Sequence, residues 1–347
     1  MKTLAVALIA LLLGACASAP PPMPPAAPLF HDELFEAPTV RIDADAALAL
    51  SPAMRHYLST RLVPRPMLGD RRRELVNALY RGELKLEYDA EITRTAAEAF
   101  DARSGNCLAL VLMTAAFAKE LHLTVHYQSV VGEEAWDRAG ELYIGIGHVN
   151  LVLEDNTPQG SMRFAQRPLV IDFLPLRNAE RLETREIDER TLIAMYLNNR
   201  AVESLARGQT SNAYWWVREA LRTDPSLLSA YVSLGVVYRA RHQPALAEAA
   251  LRRVAQREPD NVYALSNRIV ALREGRYEAA RRLFAKEVAR APYHHEFEYW
   301  LAVSYLQLND AERASVHLKR AMEVSTTRKD HDLYAAKLDR LKALSAQ

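Results

Sequence analysis

One pattern recurs every 33 or 34 residues from about Ala194 onward, and it constrains the fold more than any other feature. Four kinds of position keep this spacing: a compact apolar residue (Ala201, Gly235, Ile269, Ala302), an alanine (Ala213, Ala247, Ala280, Ala314), a bulky apolar residue (Val217, Leu251, Phe284, Leu318) and a proline (Pro225, Pro259, Pro292). Small residues allow two antiparallel helices to approach closely, and a proline ends the second helix. The pattern therefore predicts stacked helix pairs with a shared core.

The second unit carries the pattern most completely, with Tyr231, Leu234, Gly235, Tyr238, Ala247, Leu251 and Pro259. This unit resembles the tetratricopeptide repeat almost position for position. The resemblance implies an all-α solenoid over residues 191–347, closed by a capping helix from Lys329 to Ala346. Such solenoids present a concave groove to extended partners, so the expected partner is a protein or peptide. Tyr214, Trp215 and Trp216 fall in the second helix of the first unit, where they favour packing between repeats or the lining of a peptide groove.

The N-terminus has the features of an export signal. Met1-Lys2 is a short positive region, and Leu4 to Leu13 form an apolar stretch too short to span a bilayer. The following Leu13-Gly14-Ala15-Cys16 resembles the bacterial lipobox, which implies a signal peptide of residues 1–15 and lipidation of Cys16. An ordinary secretory signal cut near Ala15 or Ala19 is the alternative. No aspartate follows Cys16, and the resemblance to enterobacterial lipoproteins then implies an outer-membrane anchor facing the periplasm.

Residues 16–28 form a proline-rich linker, which favours extended polyproline II and predicts a semi-rigid spacer. We expect it to hold the folded body off the membrane. No later segment is apolar for long enough to span a bilayer, so the sequence predicts an anchored rather than an embedded protein. The remaining residues, 29–190, precede the repeats and lack their spacing.

Composition limits the partners. The chain has 44 basic and 43 acidic residues and a formal net charge of +1, whereas nucleic-acid binding usually requires a basic surface. Nucleic acid is therefore not an expected partner. The sequence has no glycine-rich phosphate loop and no cofactor motif, so we expect no cofactor. The adjacent His294 and His295 point in different directions, and we expect no metal site.

Residues 29–190 predict an α+β domain, because helical patterns are followed by strand-like runs. An apolar-periodic helix begins at Cys107, and strands are expected at Thr124 to Val131, Leu142 to Leu153 and Pro168 to Phe173. The sequence has two cysteines, so Cys107 is the only thiol left once Cys16 is acylated. An unpaired thiol in an oxidising compartment is expected to be buried or used.

Three residues of this domain could act together. Cys107 follows a Gly-Asn break at a helix N-terminus, whose dipole stabilises a thiolate and whose N–H groups can stabilise an oxyanion. His148 lies in a strand-like run after two glycines, and Asp172 interrupts another apolar strand. A buried carboxylate needs a partner, and an imidazole N–H is suitable. Taken singly, each residue also has a structural explanation: a small buried side chain, a core histidine or a turn cap.

The order of Cys107, His148 and Asp172 resembles the papain-like transglutaminase-like superfamily, over roughly Thr93 to Pro175. The resemblance implies that Cys107 is the nucleophile, His148 the general base and acid, and Asp172 the group that orients the imidazole. Better-known members carry a tryptophan where this chain has Asn150, and many have proline or threonine where it has Phe173. The implied reaction is acyl transfer on an amide, as in a cysteine peptidase, an amidase or a transglutaminase.

The sequence leaves two further interpretations open. In one, the domain has lost turnover and the chain is a peptide-binding scaffold. In the other, Cys107 is a redox sensor, although the mature chain would lack a resolving cysteine.

Overall fold

The computed structural model describes residues 23–62, 70–80, 84–89, 92–139, 142–154, 168–173, 184–258, 277–290, 295–325 and 327–345. The predicted signal peptide and Cys16 lie outside the described residues, and so does the first helix expected for the third repeat. None of the described helices combines the length and the apolar character needed to cross a bilayer.

Short helices precede the predicted cysteine helix. They comprise 3-10 turns at Ala27–Leu29, Asp32–Leu34 and Asp45–Leu48, the helix α1 (Pro52–Tyr57) with a π turn at Leu58–Leu62, α2 (Arg71–Tyr80) and α3 (Ala96–Ala102). α3 begins with a capping box, in which the Thr95 hydroxyl accepts from Glu98 N–H and the Glu98 carboxylate accepts from Thr95 N–H. It ends at Arg103, whose positive φ of 54° turns the chain sharply toward Cys107.

The helix α4 (Cys107–Glu120) begins at the cysteine, as the sequence predicts, and it forms the centre of the N-terminal half. Every residue from Cys107 to Ala118 is buried, so the helix is apolar on all sides and is packed on all sides. Two-residue strands, β1 (Glu87–Tyr88) and β2 (Ser104–Gly105), pair in parallel just before it. Thus α4 is held in place by its surroundings along most of its length.

An antiparallel sheet packs against α4. Its strands are β3 (Thr124–Ala139), β4 (Leu142–Glu154), β5 (Leu169–Ile171) and β6 (Thr184–Ile187), in the spatial order β5-β4-β3-β6. The three expected strands are present as β3, β4 and β5. β6 was not predicted, because its sequence lacks a clear alternation of apolar residues. β5 ends at Ile171, so Asp172 follows the strand, whereas the sequence suggested that it lies within it. The helices and this sheet match the α+β expectation at the level of secondary structure, while the papain-like fold remains a prediction.

Helix pairs follow the sheet. They are α5 (Glu189–Ala206) with α6 (Thr210–Thr223), α7 (Leu228–Ala240) with α8 (Pro244–Arg257), then α9 (Tyr277–Arg290), α10 (His295–Gln307) with α11 (Ala311–Glu323), and the terminal α12 (Arg328–Ser345). The alanines of the repeat pattern are buried in α6, α8, α9 and α11. α12 packs against the preceding helix through Tyr334 and Leu338, as a capping helix should. The helical solenoid of the sequence prediction is therefore present.

Gly235 shows why the second repeat needs a small residue. A Cβ added at this position would lie 2.8 Å from Leu251 Cγ, closer than two carbon atoms can approach without displacement. Leu251 is itself fully buried in α8. Gly235 and Leu251, which both belong to the repeat pattern, therefore set the separation of α7 and α8.

The described apolar residues form two large buried clusters. The first runs from Ala26 to Val254 and includes α4, the sheet, α5, α6, α7 and α8. The second joins α9, α10, α11 and α12. The first cluster crosses the boundary expected between residues 190 and 191, so the N-terminal half and the first two repeats share a core.

The end of the predicted linker is not a free spacer. Ala26 is buried, residues 27–29 form a 3-10 turn, and Arg257 Nε donates to the Met23 sulfur at 3.1 Å. An isolated proline-rich segment is extended and solvated, but here side chains of the second repeat bind it. Residues 23–28, the described part of the linker, therefore contact the second repeat.

Candidate cysteine–histidine–aspartate site

Local capping places Cys107 at the first position of α4. The Asn106 side-chain oxygen accepts from the Ala109 N–H at 3.0 Å, and the Asn106 carbonyl accepts from the Leu110 N–H. These bonds leave the N–H groups of Cys107 and Leu108 to lie at the positive end of the helix dipole. Cys107 is 7% exposed and is not part of a disulfide. The predicted setting of the thiol is confirmed.

His148 lies in β4, as predicted, beside an irregularity in the sheet. Val149 pairs with Ser129, but Gly147 pairs with Glu134, so the register of β3 shifts next to the histidine. Such bulges locally re-aim strand residues. The imidazole Nε2 lies 2.9 Å from both carboxylate oxygens of Asp172. The pairing of these two residues is therefore present despite the shorter β5.

The contact with Asp172 determines which imidazole nitrogen of His148 is available to Cys107. Since Nε2 donates to the carboxylate, Nδ1 is the remaining nitrogen. It is buried, and among the described residues none forms a hydrogen bond of ordinary geometry with it. Cys107 nevertheless lies close enough to His148 to affect its protonation. The three predicted residues are thus brought together, with His148 in the middle.

The protonation of His148 reflects opposing influences. Burial of the ring is the largest, and it lowers the pKa because an imidazolium is poorly solvated there. The hydrogen bond to Asp172, the negative charge of Asp172 and the nearby Cys107 sulfur act in the opposite direction and together raise the pKa of His148 to about 9. The histidine is therefore held as an imidazolium at neutral pH, facing the thiol.

Two residues that sequence reasoning did not assign also belong to the site. Asn150, 5% exposed, donates from Nδ2 to Asp172 Oδ2 at 3.3 Å. The signal was available, because residues two apart on a strand share a face, and Asn150 lies two residues after His148. Tyr88 in β1 lies near Cys107; partial burial raises the pKa of the Tyr88 phenol, and the neighbouring Cys107 raises it further.

A buried polar network supports the first turn of α4 from the repeats. Asn106 Nδ2 donates to Thr93 Oγ1 at 2.7 Å, and Asn199 of α5 donates to the same oxygen at 3.3 Å. Thr93 N–H donates to Glu203 Oε1 at 2.7 Å, while Arg200 donates to the Thr93 carbonyl at 3.0 Å. The turn that carries Cys107 is therefore fixed by the first helix of the repeat array.

No group of three or more metal-ligating side chains is arranged to hold a metal ion within the part of the chain that the structure describes. Within the site, the charged ring of His148 is instead paired with the carboxylate of Asp172. The arrangement offers a thiol, a buried imidazolium, an orienting carboxylate and helix N–H donors. These are the components of nucleophilic attack on a carbonyl carbon.

Comparison with known proteins identifies the repeats. Residues 271–338 match the family model described as tetratricopeptide repeat. The chain therefore carries tetratricopeptide repeats in its C-terminal part, as predicted. No curated protein matches the sequence significantly.

Several solved structures are similar. YrrB, titled a TPR protein with an unusual peptide-binding site, is 23% identical over 42% of this chain and 75% of its own, with a TM-score of 0.32. MamA (AMB-1) is 23% identical over 38% and 78%, with a TM-score of 0.30. A tetratricopeptide repeat protein from Parabacteroides merdae is 20% identical over 43% and 60%, with a TM-score of 0.33. The repeat assignment depends on the family match and on the helix pairs described above.

Proposed function

We propose that this chain is a protein-binding scaffold of the tetratricopeptide type. The observation that carries the proposal is the set of stacked helix pairs, part of which matches the repeat family. Such arrays use their extended surfaces to bind peptide segments, and a relative by structure is titled for a peptide-binding site. The proposed partner is a protein that offers an extended segment.

Selection from a displayed peptide library on the intact protein tests this function. We expect enrichment of related peptides that bind with micromolar Kd, a range typical of short segments on preformed surfaces. The binding should persist in Cys107→Ser, because recruitment by the repeats does not need the thiol. Failure to enrich any peptide over an unrelated helical protein, or binding that disappears with the thiol, would contradict the scaffold function.

A second candidate function is favoured by one specific observation, the meeting of Cys107, His148 and Asp172. We propose that the site performs cysteine-dependent acyl transfer. The Cys107 sulfur, in its thiolate form, attacks an amide carbonyl and forms an S–C bond, the C–N bond breaks, and the proton carried by His148 passes to the leaving amine. Water or a second amine then releases the acyl group. The N–H groups at the start of α4 would stabilise the oxyanion.

An electrophilic peptide probe tests the second function directly. A vinyl sulfone peptide should add to Cys107 in the native protein, and intact-mass measurement should show one adduct. Asp172→Asn should slow the labelling because it releases the imidazole from its orientation. Labelling that is equally fast in urea, where the site is disassembled, would identify an ordinary thiol and contradict the enzyme function.

We also propose lipid anchoring at Cys16, on the sequence evidence alone. The expected place is the bacterial envelope, at the outer membrane facing the periplasm. Metabolic labelling with an alkyne fatty acid should mark the wild type and not Cys16→Ala. A wild type without label would refute acylation, and label that survives the substitution would place it elsewhere.

A further inference from the structure

A segment close to the N-terminus lies on the first two repeats like a bound peptide. Residues 29–39, here called the strap, run across α6 and the C-terminal end of α7. Residues 32–34 form a 3-10 turn, and the strap takes no part in the sheet. Residues 36–39 at the end of the strap are exposed, and so are residues 40 and 41 that follow it.

Side chains of the repeats bind the strap mainly through its backbone. The Tyr238 hydroxyl donates to the Leu29 carbonyl at 2.5 Å, Arg241 Nη2 to the Leu34 carbonyl at 2.7 Å, and Trp215 Nε1 to the Glu36 carbonyl at 2.7 Å. In the other direction, the Tyr214 hydroxyl accepts from the His31 N–H, and Asn212 Oδ1 accepts from the Thr39 N–H, both at 2.9 Å. Backbone bonds of this kind are open to any peptide of suitable shape.

Two side chains of the strap, Phe35 and Asp32, provide selectivity, and Phe35 is the aromatic one. Phe35, 8% exposed, stacks on Tyr214 with ring centroids 3.8 Å apart and planes 6° from parallel. The Arg241 guanidinium also lies over the Phe35 ring, 5.7 Å from its centroid. Phe35 is thus held by both an aromatic ring and a cation, the arrangement of an anchor residue.

Charge complementarity adds to the aromatic anchor. Asp32 Oδ1 accepts from the Tyr214 hydroxyl at 2.6 Å and lies 2.9 Å from Arg218 Nε. Arg218 also lies over the rings of Phe30 and Trp215. The strap is acidic, with Asp32, Glu33 and Glu36, and the face that binds it contributes Arg218 and Arg241. The surface therefore fits an acidic segment that carries a phenylalanine at the place of Phe35.

We propose that the strap is a tethered ligand of a peptide-binding surface on α6 and α7. An acidic peptide with a phenylalanine in the place of Phe35 binds the same surface when it displaces the strap. This inference rests on the scaffold function proposed above and names its surface and class of partner. Since a short tether gives a ligand an effective concentration in the millimolar range, the strap outcompetes weak peptides and admits stronger ones.

Opening the tether tests the proposal in the folded protein. A protease site is inserted between Val40 and Arg41, in the exposed stretch, and the cut protein is mixed with a fluorescent synthetic peptide of residues 27–40. We expect the labelled peptide to bind the cut protein with micromolar Kd, and the uncut protein at least about tenfold more weakly. Excess unlabelled peptide should reverse the binding.

Substitutions are made in the synthetic peptide, so that the folding of the protein is not affected. Phe35→Ala should weaken binding at least about tenfold, since it removes a buried aromatic anchor. Asp32→Asn should weaken it several-fold, whereas the matched Glu33→Gln should leave Kd within about twofold. Glu33 is the control because its side chain is 70% exposed and pairs with His31 of the strap itself.

The remaining outcomes would overturn the proposal. A cut fragment that never exchanges with labelled peptide, or a protein that unfolds when the fragment leaves, would make the strap a structural part of the fold. Equal effects of Asp32→Asn and Glu33→Gln would remove the charge argument. Failure in these measurements excludes this surface alone, whereas failure of the library selection on both the intact and the cut protein excludes peptide binding by the whole array.

Discussion

The reactivity of Cys107 depends on the charge of the ring beside it. An imidazolium next to a sulfur favours the thiolate, which is the nucleophilic form. At pH 6, we expect Cys107 in the wild type to react with iodoacetamide at least about tenfold faster than in His148→Ala, because the substitution removes the neighbouring positive charge. The measurement is the rate of mass gain in the intact protein.

His126→Ala is the matched control for that comparison. His126 lies in β3, 40% exposed, and pairs with Glu186 at 3.1 Å. Its removal should leave the rate at Cys107 unchanged. If both histidine variants react like the wild type, Cys107 and His148 do not form a reactive pair.

His148 should also make stability depend on pH in a definite direction. Folding raises the pKa of His148 from 6.5 to about 9. Between these two pH values the folded state therefore holds a proton that the unfolded state has released. Its stabilisation is complete below pH 6.5 and is lost as the pH rises through 9. Asp172→Asn should therefore lower the free energy of unfolding by roughly 1–3 kcal/mol more at pH 6 than at pH 10. Urea denaturation at both pH values checks this, and an equal loss at both would contradict the ion pair.

The candidate residues were recognisable in the sequence because each has an unusual local setting. A lone thiol after Gly-Asn, a histidine after two glycines and a carboxylate in an apolar run all depart from ordinary patterns. Asn150 and Thr93 have no such local mark, because their importance comes from contacts with Asp172 and Asn106 across the fold. The strap was equally hidden: Phe35 and Tyr214 meet although 179 positions separate them.

At the level of elements, the cap of α4 connects stability with the site. Asn106 is 7% exposed and makes bonds to both the helix and Thr93. Asn106→Ala should lower the free energy of unfolding by about 2–3 kcal/mol, because it removes a helix cap and leaves a buried hydroxyl short of one donor. The same change at the more exposed cap of α11, Asp310→Ala, should cost only about 1 kcal/mol. Equal losses in thermal or urea unfolding would show that the Thr93 contact contributes nothing.

The approach of α7 to α8 gives a second prediction for an element. Gly235→Ala improves helix propensity by about 1 kcal/mol, but the new methyl group would overlap with Leu251. We expect a net destabilisation of about 1–3 kcal/mol from this overpacking. Leu251→Ala in the same chain should then cost less than it does alone, because it makes room for the methyl group. Strict additivity in a double-mutant cycle would contradict the close packing.

Element boundaries followed from the sequence where a local signal exists. The Gly-Asn break marks the start of α4, and the repeat spacing places the helices from α5 onward. β6 and the shortness of β5 were not foreseen, since pairing with β3 and β4 decides where these strands begin and end. The docking of residues 23–29 on α8 was missed for the same reason, because proline-rich composition describes only an isolated segment.

On the scale of the whole molecule, two buried clusters predict two units of stability. Leu197 of α5 belongs to the cluster that contains α4, whereas Leu318 of α11 belongs to the other. Leu197→Ala should cost about 2–5 kcal/mol and speed hydrogen exchange in α4. Leu318→Ala, the matched control, should leave exchange in α4 unchanged. Unaltered exchange in α4 after Leu197→Ala would mean that the repeats and the cysteine site are not one cooperative unit.

The central claim is that the helical repeats bind a partner segment. Hydrogen exchange of the intact protein, with and without a peptide enriched by library selection, tests it most directly. We expect protection to concentrate in the repeat helices, residues 189–323, with the largest effects on α6 and α7. Protection confined to residues 93–173, or no protection at saturating peptide, would contradict the claim.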